Sequence, residues 1–301
     1  VHIVLFHHRP VPALGHGGTE RVVVWLARGL VELGHQVTVV AGRGSRVPEA
    51  RVIEVDPEAA ADPSFDLRPL LPRGVDVVHA HRPFPPTEAP TLWTMHGNAT
   101  GALSRYPANM VGVSRDHARR HGIATFVYNG LDPAEYRFAP VKGEWDLFLG
   151  RLRTAKGWQW AIEGARRAAR PLIVAGGWRV PWWPRVRFAG EVRGDRKRDL
   201  LAEAACLWMP VRWEEPFGLA AIEALVSGTP VLGTPRGALP EIVTGEVGAL
   251  GATVDELVAL RPSLDRLDPE ACRARVERLF THRAMAESYL AVYRAVIAGG
   301  L

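Results

Sequence analysis

Two series of short apolar runs alternate with segments of helical periodicity, and this alternation confines the chain to one architecture. In the first series, residues 1–6, 36–41, 52–55, 76–80, 91–95, 111–113 and 125–128 read as strands. The leading run is continuously apolar, as a parallel strand covered on both faces requires. Val22, Val23, Leu26, Leu30 and Leu33 recur at helical spacing over 19–33, and Gly34 stops that helix. A second helix reads over 114–121. Pro133, Pro140 and Gly143 interrupt the pattern, which then restarts. Strands follow at 146–149, 171–175, 186–189, 206–211 and 230–233, with helices at 158–169, 195–205 and 219–226. The remainder is helical, at 254–259, 268–279 and 283–297. Such alternation implies parallel, doubly wound sheets. The expected fold is therefore α/β, two Rossmann-like domains facing a central cleft, with ligands at the carboxyl ends of the strands.

A chain of 301 residues, 47% hydrophobic and 23% charged, is long enough for two domains with substantial cores. No apolar run reaches the roughly 20 residues that a membrane-spanning helix needs. The chain opens directly on a strand, with no leader pattern, so a cytoplasmic location is expected. Cys206 and Cys272 lie in apolar contexts without CxxC spacing and read as core thiols. The net charge of +5 allows anionic substrates or an anionic membrane surface. Nucleic acid is not expected, because no stripe of alternating basic and aromatic residues accompanies the charge. Arg115, Arg119 and Arg120 on the helix after Ser114 would be the face for a peripheral contact at the inner membrane surface. A solvated helix face is the plainer reading of the same residues.

Between the first strand and the first helix stands a glycine loop, Gly15-His16-Gly17-Gly18-Thr19-Glu20-Arg21. Glycines there let the backbone approach an anion at a helix N-terminus, although an unliganded tight turn explains them too. A dinucleotide dehydrogenase would want an acid after the second strand. Ala41-Gly42-Arg43 has none, and Arg43 leaves only an NADP version of that reading open. Gly150-Arg151-Leu152-Arg153, with Lys156-Gly157 behind, follows the first strand of the second half. A guanidinium fork and a point-charge ammonium together suit a diphosphate; a solvated basic loop is the alternative. His79, His81 and His96 gather at strand ends, but no carboxylate completes a metal-ligand set and no Asp-x-Asp pair is present. His96 suits a hydrogen bond to a sugar hydroxyl, and His79 reads as a satisfied core histidine.

Residues 214–224 bring two acids to one turn. Glu215 precedes Pro216-Phe217-Gly218, and Glu223 sits on the helix that starts near Leu219 and stops at Ser227-Gly228. The amides from Phe217 to Ala220 would be free at a helix N-terminus to bind phosphate or sugar oxygens. Glu223 lies on a nearly all-apolar helix, so it needs a partner if it is buried. An ionised carboxylate there could accept two ribose hydroxyls.

In order along the chain, these segments resemble the retaining, metal-independent nucleotide-sugar glycosyltransferases of the GT-B fold, glycosyltransferase family 4. The match comprises the glycine loop, Thr94-Met95-His96-Gly97, Asn129-Gly130-Leu131-Asp132, Gly150-Arg151-Leu152 with Lys156-Gly157, the Glu215–Glu223 pair with Ser227-Gly228-Thr229-Pro230-Val231, and Pro240-Glu241-Ile242. The resemblance is to a compact branch that includes antibiotic-tailoring members. It implies an acceptor-side domain at 1–135, a donor domain at 136–279, and a last helix at 280–301 that crosses back to the first domain. By the resemblance, Arg151 and Lys156 bind the donor diphosphate and Glu223 the ribose. Glu215 and the amides of Phe217, Gly218, Leu219 and Ala220 bind the donor sugar. His96 lies beside the transferred sugar, Gly17 and Gly18 approach the diphosphate, and Gly190-Glu191-Val192 line the base pocket.

The expected function is transfer of a sugar from a nucleoside diphosphate, UDP or GDP being favoured, to an acceptor hydroxyl. No metal or other cofactor is expected. The acceptor, whether sugar, lipid-linked sugar or small molecule, is not specified by the sequence. The other readings are a nucleotide-sugar epimerase of the same fold and a non-catalytic nucleotide- or sugar-binding module.

Overall fold

The computed structural model describes residues 1–12, 17–82, 84–85, 87–99, 108–179 and 184–300. The chain divides into two compact units, Val1–Leu131 with Phe280–Leu301, and Asp132–Leu279.

The first unit is built on β1 (His2–His7), β2 (Gln36–Gly42), β3 (Arg51–Val55), β4 (Val77–Ala80), β5 (Thr91–Thr94), β6 (Met110–Gly112) and β7 (Thr125–Phe126). They form one sheet in the order β3-β2-β1-β4-β5-β6-β7, with every pair parallel. All six residues of β1 and all four of β4 are buried, which is why these runs are apolar without alternation. The strand order reverses between β1 and β4, so their carboxyl ends flank the crevice where such sheets bind ligands. β7 is shorter than the four-residue run expected. Only the Val127 amide continues the ladder beyond it, to the Gly112 carbonyl at 2.9 Å.

The helices α1 (Gly18–Glu32) and α2 (Arg115–Arg120) belong to this unit, and so does the last helix, α9 (His282–Ile297). α9 buries Met285, Ala286, Tyr289 and Tyr293. Its two tyrosine hydroxyls reach the sheet: Tyr289 meets Thr94 Oγ1 at 2.8 Å and Tyr293 meets His79 Nδ1 at 2.8 Å. His79 Nε2 completes the chain with Thr94 Oγ1 at 2.7 Å, so His79 is the satisfied core histidine expected. The Asn129-Gly130-Leu131 segment owes its glycine to close packing, because a Cβ at 130 would collide with the Thr281 carbonyl. Leu131 then exchanges backbone hydrogen bonds with Phe280 and His282, at 2.9 and 2.7 Å.

The second unit repeats the plan. Its sheet holds β8 (Asp146–Leu149), β9 (Leu172–Ala175), β10 (Val186–Gly190), β11 (Cys206–Met209), β12 (Val231–Gly233) and β13 (Gly248–Leu250), ordered β10-β9-β8-β11-β12-β13 and all parallel. Here the order reverses between β8 and β11. The helices are α3 (Trp158–Arg167), α4 (Gly194–Glu203), α5 (Leu219–Val226), α6 (Leu239–Ile242), α7 (Val254–Leu260) and α8 (Pro269–Leu279). Neither β13 nor α6 was expected. β13 is three residues without a β-branched side chain, and it pairs because Gly248 lies against the Val231 carbonyl where a Cβ would not fit. α6 is one turn with Pro240 as its second residue, too short for a periodic signal.

One polar cluster sits inside this second core. Asp146, fully buried on β8, accepts two hydrogen bonds from Arg261, at 2.6 and 2.8 Å, and one from the Trp208 indole at 2.7 Å. The Arg261 guanidinium is 1% exposed, and its bonds to Asp146 hold its pKa above the ordinary arginine value against the cost of burial. Both cysteines are buried and free.

Candidate active site

In the second unit the loop after β8 carries the basic residues. Gly150 stays on the sheet through its amide, which bonds the Ala175 carbonyl at 2.9 Å. Arg151 follows and is exposed, with no side-chain partner among the described residues. A short turn, 154–156, ends at Gly157, whose φ of +75° lies in the left-handed region. A side chain there would also strike the Pro210 carbonyl, which explains the Lys-Gly pair directly ahead of α3. Lys156 therefore rises beside the segment that follows β11.

That segment meets it with three groups. Lys156 Nζ donates to Glu215 Oε2 at 2.7 Å and lies 4.6 Å from the centre of the Trp213 ring. The Trp213 indole N–H donates to the same Glu215 oxygen at 2.8 Å. Glu215 is 7% exposed, and its Oε1 has no hydrogen-bond partner among the described residues. The neighbouring Glu214 is used differently: Oε2 accepts the Gly237 amide at 2.7 Å and fixes the loop after β12. An ammonium has three N–H donors. One goes to Glu215 and the indole face attracts the charge, so a bound anion can still be met.

α5 begins at Leu219, as expected, after Gly218 at φ +104°, and no side chain caps its first turn. Phe217 is 3% exposed, so its ring belongs to the core and only its backbone can face a ligand. Leu219 and Ala220 are half-buried. Glu223 is buried on α5 and has the partners that burial demands. Its Oε1 accepts from Lys197 Nζ at 2.7 Å and from the Tyr136 hydroxyl at 2.8 Å. Glu215 and Glu223 thus sit in two separate polar clusters, each with its own lysine.

Gly190 ends β10 with φ +69°, and its amide oxygen accepts from Gly176 at 2.7 Å. The exposed Trp178 indole lies directly against it. Val192 is 8% exposed, and Glu191 is exposed and paired with Arg193 at 3.2 Å. Trp182 and Trp183 fall outside the described residues.

In the first unit, Gly17 caps α1 from an extended backbone and Gly18 opens the helix, while Gly15 and His16 fall outside the described residues. Glu20 stands in the first turn of α1, 3.9 Å from Arg9, and its charge opposes an anion at that helix end. His96, half-buried just past β5, meets His81 Nδ1 through its Nε2 at 2.8 Å. Burial pushes the His96 pKa down to about 3, helped by His7 and His117. His117 on α2 holds the next residue: Nε2 bonds the Gly97 carbonyl at 3.1 Å while Nδ1 accepts the Val113 amide at 3.3 Å. Of the arginines read as a membrane-facing set, Arg119 and Arg120 both bond Asp116, at 2.8 and 2.6 Å, and Arg115 lies over Phe126. No helix of the described residues is long and apolar enough to cross a membrane, and no cluster among them could hold a metal ion.

Sequence reasoning missed Trp213, Lys197 and Tyr136. Lys197 sits in a run of charges, Asp195-Arg196-Lys197-Arg198-Asp199, where nothing marks one lysine as buried. For Glu223 the signal did exist, because an acid on an apolar helix calls for a cation.

Two all-parallel sheets, each with a strand-order reversal, define an α/β protein of the GT-B class. Residues 16–120 match the family model described as Glycosyltransferase Family 4, and residues 146–267 match the one described as Glycosyl transferases group 1. The chain belongs to this family of GT-B glycosyltransferases. It resembles AviGT4, a glycosyltransferase involved in avilamycin A biosynthesis, with 29% identity, 99% of this chain and 98% of that one covered, and a TM-score of 0.84. A phosphatidyl-myo-inositol mannosyltransferase of Propionibacterium freudenreichii is 25% identical over 91% of this chain and 87% of its own. The fold is shared with Anabaena Alr3699/HepE, solved with UDP and glucose, at 15% identity and a TM-score of 0.71 over 97% and 99% of the two chains. The chain spans about two fifths of the length of the first curated relatives it matches.

Proposed function

We propose that the protein is a retaining glycosyltransferase that takes a sugar from a nucleoside-diphosphate donor and passes it to an acceptor hydroxyl without a metal ion. The observation that carries this reading is the Lys156–Glu215 pair beside the exposed Arg151, at the carboxyl side of β8 and β11. This is where a doubly wound sheet binds a nucleotide, and a guanidinium with an ammonium suits the charge of a diphosphate. The Anabaena neighbour's complex with UDP and glucose supports the same donor class.

In the step proposed, the bond between the anomeric carbon and the diphosphate oxygen breaks through an oxocarbenium-like state. Arg151, Lys156 and the start of α5 stabilise the charge that grows on the diphosphate. The acceptor oxygen bonds to the anomeric carbon on the face that the diphosphate leaves, and the acceptor proton passes to the departing diphosphate. Glu215, held by Lys156 and Trp213, offers Oε1 to a sugar hydroxyl. Glu223 meets the ribose.

A thermal-shift screen with UDP, GDP, ADP and TDP identifies the base, because a ligand bound only by the folded state raises its apparent stability. Transfer from the matching nucleotide sugar is then assayed with and without EDTA. Lys156→Ala is expected to lower turnover about a hundredfold, the scale of losing one preorganised contact to developing charge. Near-normal turnover in that variant removes the electrostatic role, and loss of activity in EDTA overturns the metal-free reading.

A further inference from the structure

In the first unit, histidines crowd the carboxyl side of the strand reversal between β1 and β4. His81 directly follows β4, and its amide donates to the Phe6 carbonyl at 3.0 Å, which ties it to β1. Its ring centre lies 4.4 Å from that of His79 and 6.4 Å from that of His7. Its Nδ1 is 2.8 Å from His96 Nε2. The other nitrogen, His81 Nε2, is buried and has no hydrogen-bond partner among the described residues. His96 differs: it is half-buried, and no hydrogen bond to its Nδ1 is present among the described residues.

Burial pushes both rings below the ordinary histidine value, so each is neutral at neutral pH. A single hydrogen then lies in the contact between them. If His96 supplied it, the second hydrogen of the pair would sit on His81 Nε2 as a buried N–H with no acceptor. If His81 supplies it, Nε2 keeps only a bare lone pair. Orphaned buried N–H groups are rarer than under-satisfied acceptors, which selects the second arrangement. His96 must then carry its own hydrogen on Nδ1, on a ring that is only half-buried.

We propose that His81 is a positioning residue that fixes the tautomer of His96, so that His96 presents an Nδ1–H donor, and not a base, to an oxygen of the bound ligand. The donated bond suits a hydroxyl or phosphoryl oxygen, and within the proposed transfer reaction it would steady the sugar or the departing group. The tautomer itself does not depend on that reading.

The test separates the two. Long-range proton–nitrogen NMR on the uniformly ¹⁵N-labelled protein at pH 7.5, assigned with His81→Phe and His96→Gln, reports which ring nitrogen of His96 is protonated. Protonation at Nδ1 is expected, and protonation at Nε2 overturns the proposal whatever the protein catalyses. In His81→Phe the Nε2 partner is gone, so His96 should become a mixture of tautomers. Turnover in that variant should fall about tenfold, roughly one lost oriented hydrogen bond, with donor KM little changed. His81→Asn, whose amide can donate to Nε2, should recover part of both. An unchanged tautomer and turnover in His81→Phe overturn the positioning role. If that variant does not fold, the wild-type spectrum still decides the tautomer.

Discussion

Lys197 donates to Glu223 at 2.7 Å across the gap between α4 and α5, and Tyr136 joins them on the same carboxylate oxygen. The carboxylate is 2% exposed and the lysine 18%, so this is a largely desolvated pair on an otherwise apolar helix. Attraction between such charges does little more than offset their desolvation, but removing one of them leaves the other stranded. Lys197→Met should therefore lower the unfolding free energy by about 3 kcal/mol, measured by urea denaturation. Glu223→Ala should weaken nucleotide binding by roughly 1–3 kcal/mol, the scale of hydrogen bonds to a charged group. Titration calorimetry with the base found in the thermal-shift screen reads that loss, and unchanged affinity removes Glu223 from the ribose.

Asp146 and Arg261 form a second buried pair, but with no access to ligand. Asp146→Ala leaves the guanidinium without its two-pronged acceptor and the Trp208 indole without its own. A loss of about 3–5 kcal/mol is expected in the second unit, seen as a lower thermal midpoint. Replacing both residues with apolar ones of similar volume should recover much of it, because the desolvation penalty disappears with the charges. A double variant no more stable than Asp146→Ala would instead assign the pair a structural part beyond mutual neutralisation.

The sheets were legible because both obey one rule. A strand covered on two faces, such as β1 or β11, is a continuous apolar run, and the helix after it repeats at 3.6 residues. β13 and α6 were illegible for the opposite reason: three or four residues carry no period, and close packing at Gly248 holds β13 in place. Arg151, Lys156 and Glu215 stand out in the sequence as charges near strand ends, and Glu223 as an acid on an apolar helix. Trp213 does not. An indole that donates to Glu215 and lies under Lys156 looks, in sequence, like any aromatic residue near a turn. His81 was visible only as one of several histidines, since its contact with His96 joins two strands that are adjacent in space and separated in the chain.

His117 gives the first unit a defined acid sensitivity. Its ring is fully buried, and Nδ1 accepts the Val113 amide, which only a neutral imidazole can do. Desolvation is the main cause of a pKa lowered to about 4, with His121 and Arg120 adding to it and the Gly97 carbonyl and Asp116 opposing it. The unfolded chain, with a value near 6.5, binds more protons than the native state between these limits. The stability from this group is therefore fully present above about pH 6.5 and is lost as pH falls toward 4. Across that window the slope from one such histidine is about 1.4 kcal/mol per pH unit. His96 and His8, lowered to about 3 and 4 mainly by burial, slope in the same direction, so the whole protein should lose stability more steeply than one group predicts. His117→Gln keeps an uncharged side chain that can accept the Val113 amide and donate to Gly97. Between pH 6.5 and 5, urea unfolding of this variant should show a slope shallower than wild type by about 1 kcal/mol per unit. Equal slopes would mean that the ring is already protonated in the native state or is not buried there.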